Sequence, residues 1–119
     1  MKRTGEFDYD YKHDILFFKA KDREYARSLD LDGIVLDIDE DGLIVGIQIF
    51  NASAFLKIPK VHLRDVPTWR FEARLQDGRL EVRLAFTVTV RNRVIEKNPI
   101  IVEQLRERLP DSRMVAVGV

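Results

Sequence analysis

The chain of 119 residues contains no cysteine, which excludes disulfides, thiolate metal sites and cysteine nucleophiles. Histidine is nearly as scarce: His13 and His62 are the only two, and neither has a serine or threonine neighbour forming a recognisable nucleophile motif. The six glycines stand singly, so no glycine-rich loop is present to cradle a phosphate. No apolar run approaches the ~20 residues a membrane-spanning helix needs. The opening Met1-Lys2-Arg3-Thr4-Gly5-Glu6 turns acidic at once and has no signal-peptide core. These absences point to a cytoplasmic protein without membrane contact, and to an enzyme only if distant residues assemble its site.

Net charge is also lacking, since 20 basic residues balance 20 acidic ones. The balance hides an asymmetry: residues 1–59 carry a net of −4 and residues 60–119 a net of +4. Such halves can attract each other within one chain or between copies, which makes a homodimer one expectation. Charged residues reach 34%, with 13 Arg to 7 Lys, a composition that fits a heat-loving source.

What the sequence has in abundance is period-two alternation, the mark of half-buried strands. Between residues 68 and 91, Trp69, Phe71, Ala73 and Leu75 alternate with polar residues up to the turn dipeptide Asp77-Gly78. Leu80, Val82, Leu84, Phe86, Val88 and Val90 then return on one face. A two-residue loop there sets Leu75 against Leu80, Ala73 against Val82, Phe71 against Leu84 and Trp69 against Phe86. On the other face Arg74 meets Glu81 and Glu72 meets Arg83, so register, turn chemistry and charge agree. A second hairpin is expected over 33–50 around Asp41-Gly42, with Gly46 marking a bulge or a close backbone approach. A third spans Phe7 to Phe18 and turns at Lys12-His13. Glu24 to Leu31, bounded by Lys21-Asp22 and Asp32-Gly33, reads as a linking strand.

Pro59 and Pro67 exclude a long regular element between Asn51 and Val66, where Asn51 is placed to cap a short helical turn over 52–56. Asn98-Pro99 has the form of an N-cap followed by a first-turn proline. Ile101, Val102, Leu105 and Leu109 recur at helical spacing before Pro110, predicting one short C-terminal helix. Met114 to Val119 alternates as a final strand. The expected fold is therefore mainly β: an antiparallel β-meander and a long β-hairpin forming two packed sheets, with that helix. At this length it is one domain over 1–119, the meander in 1–56 and the hairpin, helix and last strand in 57–119.

Within Tyr9–Ser53 stand Tyr9-Asp10, Asp14-Ile15-Leu16-Phe17, Asp32-Gly33, Asp37-Ile38-Asp39-Glu40-Asp41-Gly42, Gly46-Ile47-Gln48-Ile49 and Ala52-Ser53. In these motifs and their spacing the segment resembles the prokaryotic family called domain of unknown function 2283. It departs at Gln48, where the family commonly has an acidic residue, and residues 54–119 lie outside the family pattern. The resemblance implies a compact β-meander and no particular reaction. Because members are often encoded beside small toxin-like proteins, it also implies a co-encoded small protein partner and an antitoxin-like role.

Three chemistries can be weighed on the residues themselves. Asp37, Asp39, Asp41 and Gly42 match positions 1, 3, 5 and 6 of an EF-hand calcium loop, which makes Asp37, Asp39 and Asp41 the candidate metal ligands. Position 12 falls on Gln48, which supplies no bidentate carboxylate, and the flanks alternate as strands, so a solvated acidic turn is the competing reading. No other cofactor is expected. Arg70, Arg74 and Arg83, together with Arg79 and Arg91, fall on the outer face of the long hairpin, where a basic sheet face can hold single-stranded nucleic acid. There the aromatics point to the core and Glu72 and Glu81 neutralise two arginines, so an ion-pair ladder competes. Asp8, Asp10 and Asp14 offer carboxylates for acid–base work, but nothing selects among them. What remains favoured is a non-enzymatic protein-interaction module, self-associating or binding a partner along an open strand edge or the apolar Met114–Val119 segment.

Overall fold

The structure is a computed structural model that describes residues 2–21 and 24–118. The strands are β1 (Lys2–Asp10), β2 (Ile15–Ala20), β3 (Arg27–Asp30), β4 (Ile34–Ile38), β5 (Ile44–Phe50), β6 (Trp69–Gln76), β7 (Arg79–Val90), β8 (Arg93–Lys97), β9 (Ile100–Gln104) and β10 (Ser112–Gly118). Two short helices, α1 (Ala52–Leu56) and α2 (Lys60–Arg64), stand between β5 and β6. Asp22, expected to bound the linking strand, and Val119, at the end of the last one, lie outside the described residues.

The long hairpin has the expected register: Leu75 faces Leu80, Ala73 faces Val82 and Phe71 faces Leu84. Asp77 and Gly78 both take positive φ, 51° and 77°, the backbone twist that matches the flanking strands. Asp32-Gly33 does the same between β3 and β4, and Arg91-Asn92 between β7 and β8. The 33–50 hairpin is present, with the ladder shifting between Asp37 and Ile38, so that Asp37 faces Gly46 while Ile38 faces Ile44. Gly46 serves both expected purposes. It sits at the bulge, and a Cβ there would come 2.9 Å from the Phe18 carbonyl oxygen and 3.2 Å from Asp37 Oδ2.

All ten strands join one sheet, in the order β3-β4-β5-β2-β1-β10-β6-β7-β8, with β9 also on β7. The expectation of two packed sheets is thereby corrected to one continuous sheet folded over itself. Three strand spacings separate β2 from β6, about 14 Å along a flat sheet. Yet the Phe18 and Phe71 rings stack with centroids 3.9 Å apart and planes 5° apart. The fold-over buries one apolar cluster, in which Phe18, Leu36, Ile47, Trp69, Leu80 and Met114 are almost wholly enclosed. The hinge strand is β10, which pairs parallel with β1 and antiparallel with β6. The Met114–Val119 segment, expected as a partner-seeking tail or a final strand, thus completes the protein's own sheet as far as it is described. At the far ends of the sheet, Arg27 of β3 forms an ion pair with Glu107, beyond β9.

The C-terminal helix is also corrected. Residues 93–104 run as β8 and β9 along one side of β7, with Asn98-Pro99 as the interruption; Ile101 faces Val82 and Ile100 faces Arg83. A helix of a dozen residues is marginal by itself. Here the unpaired side of the 12-residue β7 offers backbone partners to the β-branched Ile100, Ile101 and Val102, and tertiary pairing overrides local spacing. The helices lie instead at 52–64. Asn51 precedes α1 in the left-handed region without a side-chain cap; its carbonyl accepts the Phe55 N–H at 2.9 Å. Pro59 precedes α2.

Candidate functional site

The three candidate metal ligands leave the β4–β5 hairpin in different roles. Asp37, half-buried, accepts the Ser28 hydroxyl at 2.6 Å and the Gln48 side-chain amide at 3.3 and 3.1 Å. Asp39 is buried, and its Oδ1 accepts the N–H groups of Asp41 at 2.9 Å and Leu43 at 3.0 Å. That is a side-chain-capped turn, the local use to which Asp is suited. Asp41 is exposed on the turn. Among the described residues no group of three His, Asp or Glu side chains is placed to hold a metal ion.

Arg70, Arg74 and Arg83 do come together. With Glu72, Glu81, Ile100, Val115 and Val117 they line a shallow depression of about 730 Å³ on the outer face of β6, β7, β9 and β10. The ion pairs differ from the directly cross-strand ladder: Arg83 Nε bonds Glu81 along its own strand at 2.5 Å, while Glu72 is held by Arg113 of β10 at 2.5 Å. Trp69, Phe71 and Phe86 lie buried on the opposite face, so these arginines have no aromatic platform beside them.

A third cluster lies at the end of the sheet where the β1–β2 turn meets α1 and α2. Asp14 takes positive φ, 57°, which turns its carboxylate and carbonyl toward the start of α1. The carbonyl accepts the Ala52 N–H at 3.0 Å. The carboxylate accepts the Ser53 hydroxyl at 2.6 Å, the Ser53 N–H at 3.0 Å and the Tyr9 hydroxyl at 2.6 Å. Burial pushes the Asp14 carboxyl upward, but the hydrogen bonds from Ser53 and Tyr9, with the charge of Lys60, outweigh it and hold the group below its usual range. Burial first, then the bond to Asp14, raises the Tyr9 phenol. A carboxylate so fully engaged is a weak base, and a serine that donates to it is not thereby made a nucleophile. The arrangement is a clasp that fastens α1 to the first hairpin.

Around the clasp, the His13 backbone N–H donates to Asp10 Oδ1 at 3.0 Å and His13 Nδ1 lies 2.8 Å from Asp10 Oδ2; the backbone bond first, then the side-chain one, holds Asp10 below its usual range. Lys60 Nζ and the Arg64 guanidinium carbon each lie 4.8 Å from the centroid of the Tyr11 ring. Sequence reasoning noticed the acids next to His13 but missed this cluster, because its members come from three separate segments. The signal that could have found it is the family motif set, since Tyr9, Asp14 and Ser53 all belong to it.

Residues 6–53 match the family described as protein of unknown function (DUF2283). The match is to this segment of the chain, 48 of its 119 residues. The matched segment runs from β1 through the first residues of α1, so it contains Tyr9, Asp14 and Ser53 and all of the β4–β5 hairpin. A Methanosarcina mazei protein bearing the name putative hypoxanthine phosphoribosyltransferase is 38% identical over 94 residues, covering 77% of this chain and 75% of that protein. An uncharacterized protein of Methanocaldococcus jannaschii is 41% identical over 58 residues, covering 49% of this chain and half of its own length. No solved structure matches the chain. Among the described residues no helix is long and apolar enough to cross a membrane.

Proposed function

We propose that the protein is a non-enzymatic interaction module that receives a partner chain, or a second copy, along the open edge of its sheet. The observation that carries this reading is the outer side of β8 and β9. In a two-residue hairpin the closing pair, here Val90 with Arg93, exchanges both backbone bonds. The backbone groups of Val94 and Glu96 therefore point away from β7, toward the open side. Val94 is 71% exposed, and Ile95, Ile100 and Val102 are exposed along the same edge. Arg93, Glu96, Lys97 and Pro99 blunt this edge in part, but its outward backbone groups and apolar side chains still offer a template for strand addition. The opposite charge of the two halves makes a second copy one fitting partner, and a co-encoded small protein another. A cytoplasmic setting suits the cysteine-free composition.

The name carried by the Methanosarcina relative raises phosphoribosyl transfer as an alternative. That chemistry asks for a cradle of backbone N–H groups at a helix start to hold phosphates. Here α1 and α2 have five residues each, and the acidic pair Asp37 and Asp39 is committed to Gln48, Ser28 and the turn backbone. The geometry favours the interaction reading.

The test is a pull-down from native lysate with the wild-type chain and Val94→Lys, with light-scattering masses at low and high salt. The reading expects a stoichiometric protein partner or a dimer, weakened in Val94→Lys. A monomer that recovers no protein in either form would end it.

A further inference from the structure

We propose that the face formed by α1, α2 and Tyr11 binds single-stranded nucleic acid. The proposal concerns a different surface from the β8–β9 edge and does not depend on it. It begins in the sequence: from Asn51 to Arg64 the chain carries Lys57, Lys60, Arg64 and His62 and no acidic residue, although the whole protein is neutral. The Asp14 clasp fixes the start of this stretch against the β1–β2 turn, which brings Tyr11 beneath α2.

The result is a cationic surface interleaved with exposed rings. Tyr11 is 42% exposed, Phe55 40% and Val61 42%. Lys60 and Arg64 both sit 4.8 Å from the Tyr11 centroid. Each gains from the ring's negative face, but two cations drawn to one ring repel each other, and a polyanion laid across them relieves that repulsion. Nearby carboxylates offset part of this charge: Asp14 is close enough to Lys60 for the two charges to interact, and Asp65 contacts Arg64 at 3.5 Å with both side chains more than half exposed. The stretch from 51 to 64 itself adds no acid to them.

Cations beside an exposed aromatic ring are the combination that holds single strands, the phosphates by charge and the bases by stacking; the Tyr11 face is taken by Lys60 and Arg64, which leaves Phe55 as the stacking ring. The outer face of Arg70, Arg74 and Arg83 has the charge but not the rings. An anionic membrane fits less well, because helices of five residues present too little apolar face to enter a lipid interface.

The experiment is fluorescence anisotropy of the full chain with fluorescein-labelled oligouridine and oligothymidine of about 20 nucleotides, titrated across salt. Binding at low salt is expected to weaken as salt rises, with a log–log slope of roughly −2 for three phosphate contacts. Lys60→Gln/Arg64→Gln should lower the affinity about tenfold or more and reduce the slope by roughly 1.4. Phe55→Ala should lower it about fivefold or more with the slope unchanged. Arg70→Gln/Arg74→Gln should bind as the wild type does. Thermal melts check that each variant is folded; if the double variant is not, Lys57→Gln and Phe55→Ala read the same surface. Absence of binding at low salt, binding indifferent to these changes, or loss in Arg70→Gln/Arg74→Gln instead would overturn the proposal. So would binding to phosphatidylglycerol vesicles without binding to either oligonucleotide.

Discussion

Ser53 donates its hydroxyl at 2.6 Å to Asp14, 39 positions earlier in the chain, and that bond joins the helical connection to the first hairpin. The Asp14 carboxyl titrates below its usual range in the folded protein. A depressed carboxyl contributes stability that is present above its unfolded pKa and lost as pH falls through the folded one. Asp14→Asn should therefore cost about 1–3 kcal/mol at neutral pH. The wild type should lose that advantage as the solution is acidified below roughly pH 4. Urea denaturation at neutral and acid pH checks this: the gap between the two proteins should narrow on acidification, and a constant gap would count against the assigned role.

Gln48 against Asp37 gives the second prediction. The Gln48 amide donates to both Asp37 oxygens. Gln48→Glu would replace a donor by a carboxylate facing a carboxylate, and like charges at that spacing disfavour ionisation. The variant should lose about 1–3 kcal/mol at pH 7 and recover part of it at mildly acid pH. It should also gain a rise in melting temperature with calcium or manganese that the wild type lacks, since an ion bound only by the folded state stabilises it. A wild-type melt raised by calcium and lowered by EDTA would instead restore Asp37, Asp39 and Asp41 as a native metal site.

Gly46 sits below the same carboxylate. A methyl group at this position would meet the Phe18 carbonyl oxygen at 2.9 Å, within the ladder that pairs β2 with β5. Backbone on one side and Asp37 on the other leave little room to yield. Gly46→Ala should be destabilising by more than about 2 kcal/mol, read by thermal or urea denaturation. A wild-type transition would show that the hairpin relaxes more easily than its packing implies.

What was legible in the sequence was what local rules govern. Asp77-Gly78 fixes its own turn geometry and alternation fixes the faces on either side, so the register of the long hairpin follows from its residues alone. Asp39 was equally local but admitted two uses, as ligand or as turn cap, and spacing alone does not choose between them. The rest depends on distant partners. Ile100–Gln104 carries helical spacing and helix-start residues, yet the open side of β7 claims it. Ser112–Gly118 reads as a strand, but nothing in it announces that β1 will be its parallel neighbour. Tyr9, Asp14 and Ser53 meet only once the chain between them has folded.

Phe18 and Phe71 provide the sharpest test of the folded-over sheet. Phe18 belongs to the family-matched segment and Phe71 to the residues beyond it, and their rings stack in the core. Trp69 and Phe7 lie against the same cluster. If the sheet curls as described, Phe18→Ala and Phe71→Ala should each cost about 3–5 kcal/mol. The double variant should cost less than the two together, by roughly 0.5–1.5 kcal/mol for the stacked pair. Additive costs would mean that the two halves of the chain do not share one core. Coupling would show that the second half of the chain is needed to close the core of the first. Residues 1–56 expressed alone, missing both Phe71 and the β10 partner of β1, should then give no cooperative unfolding transition.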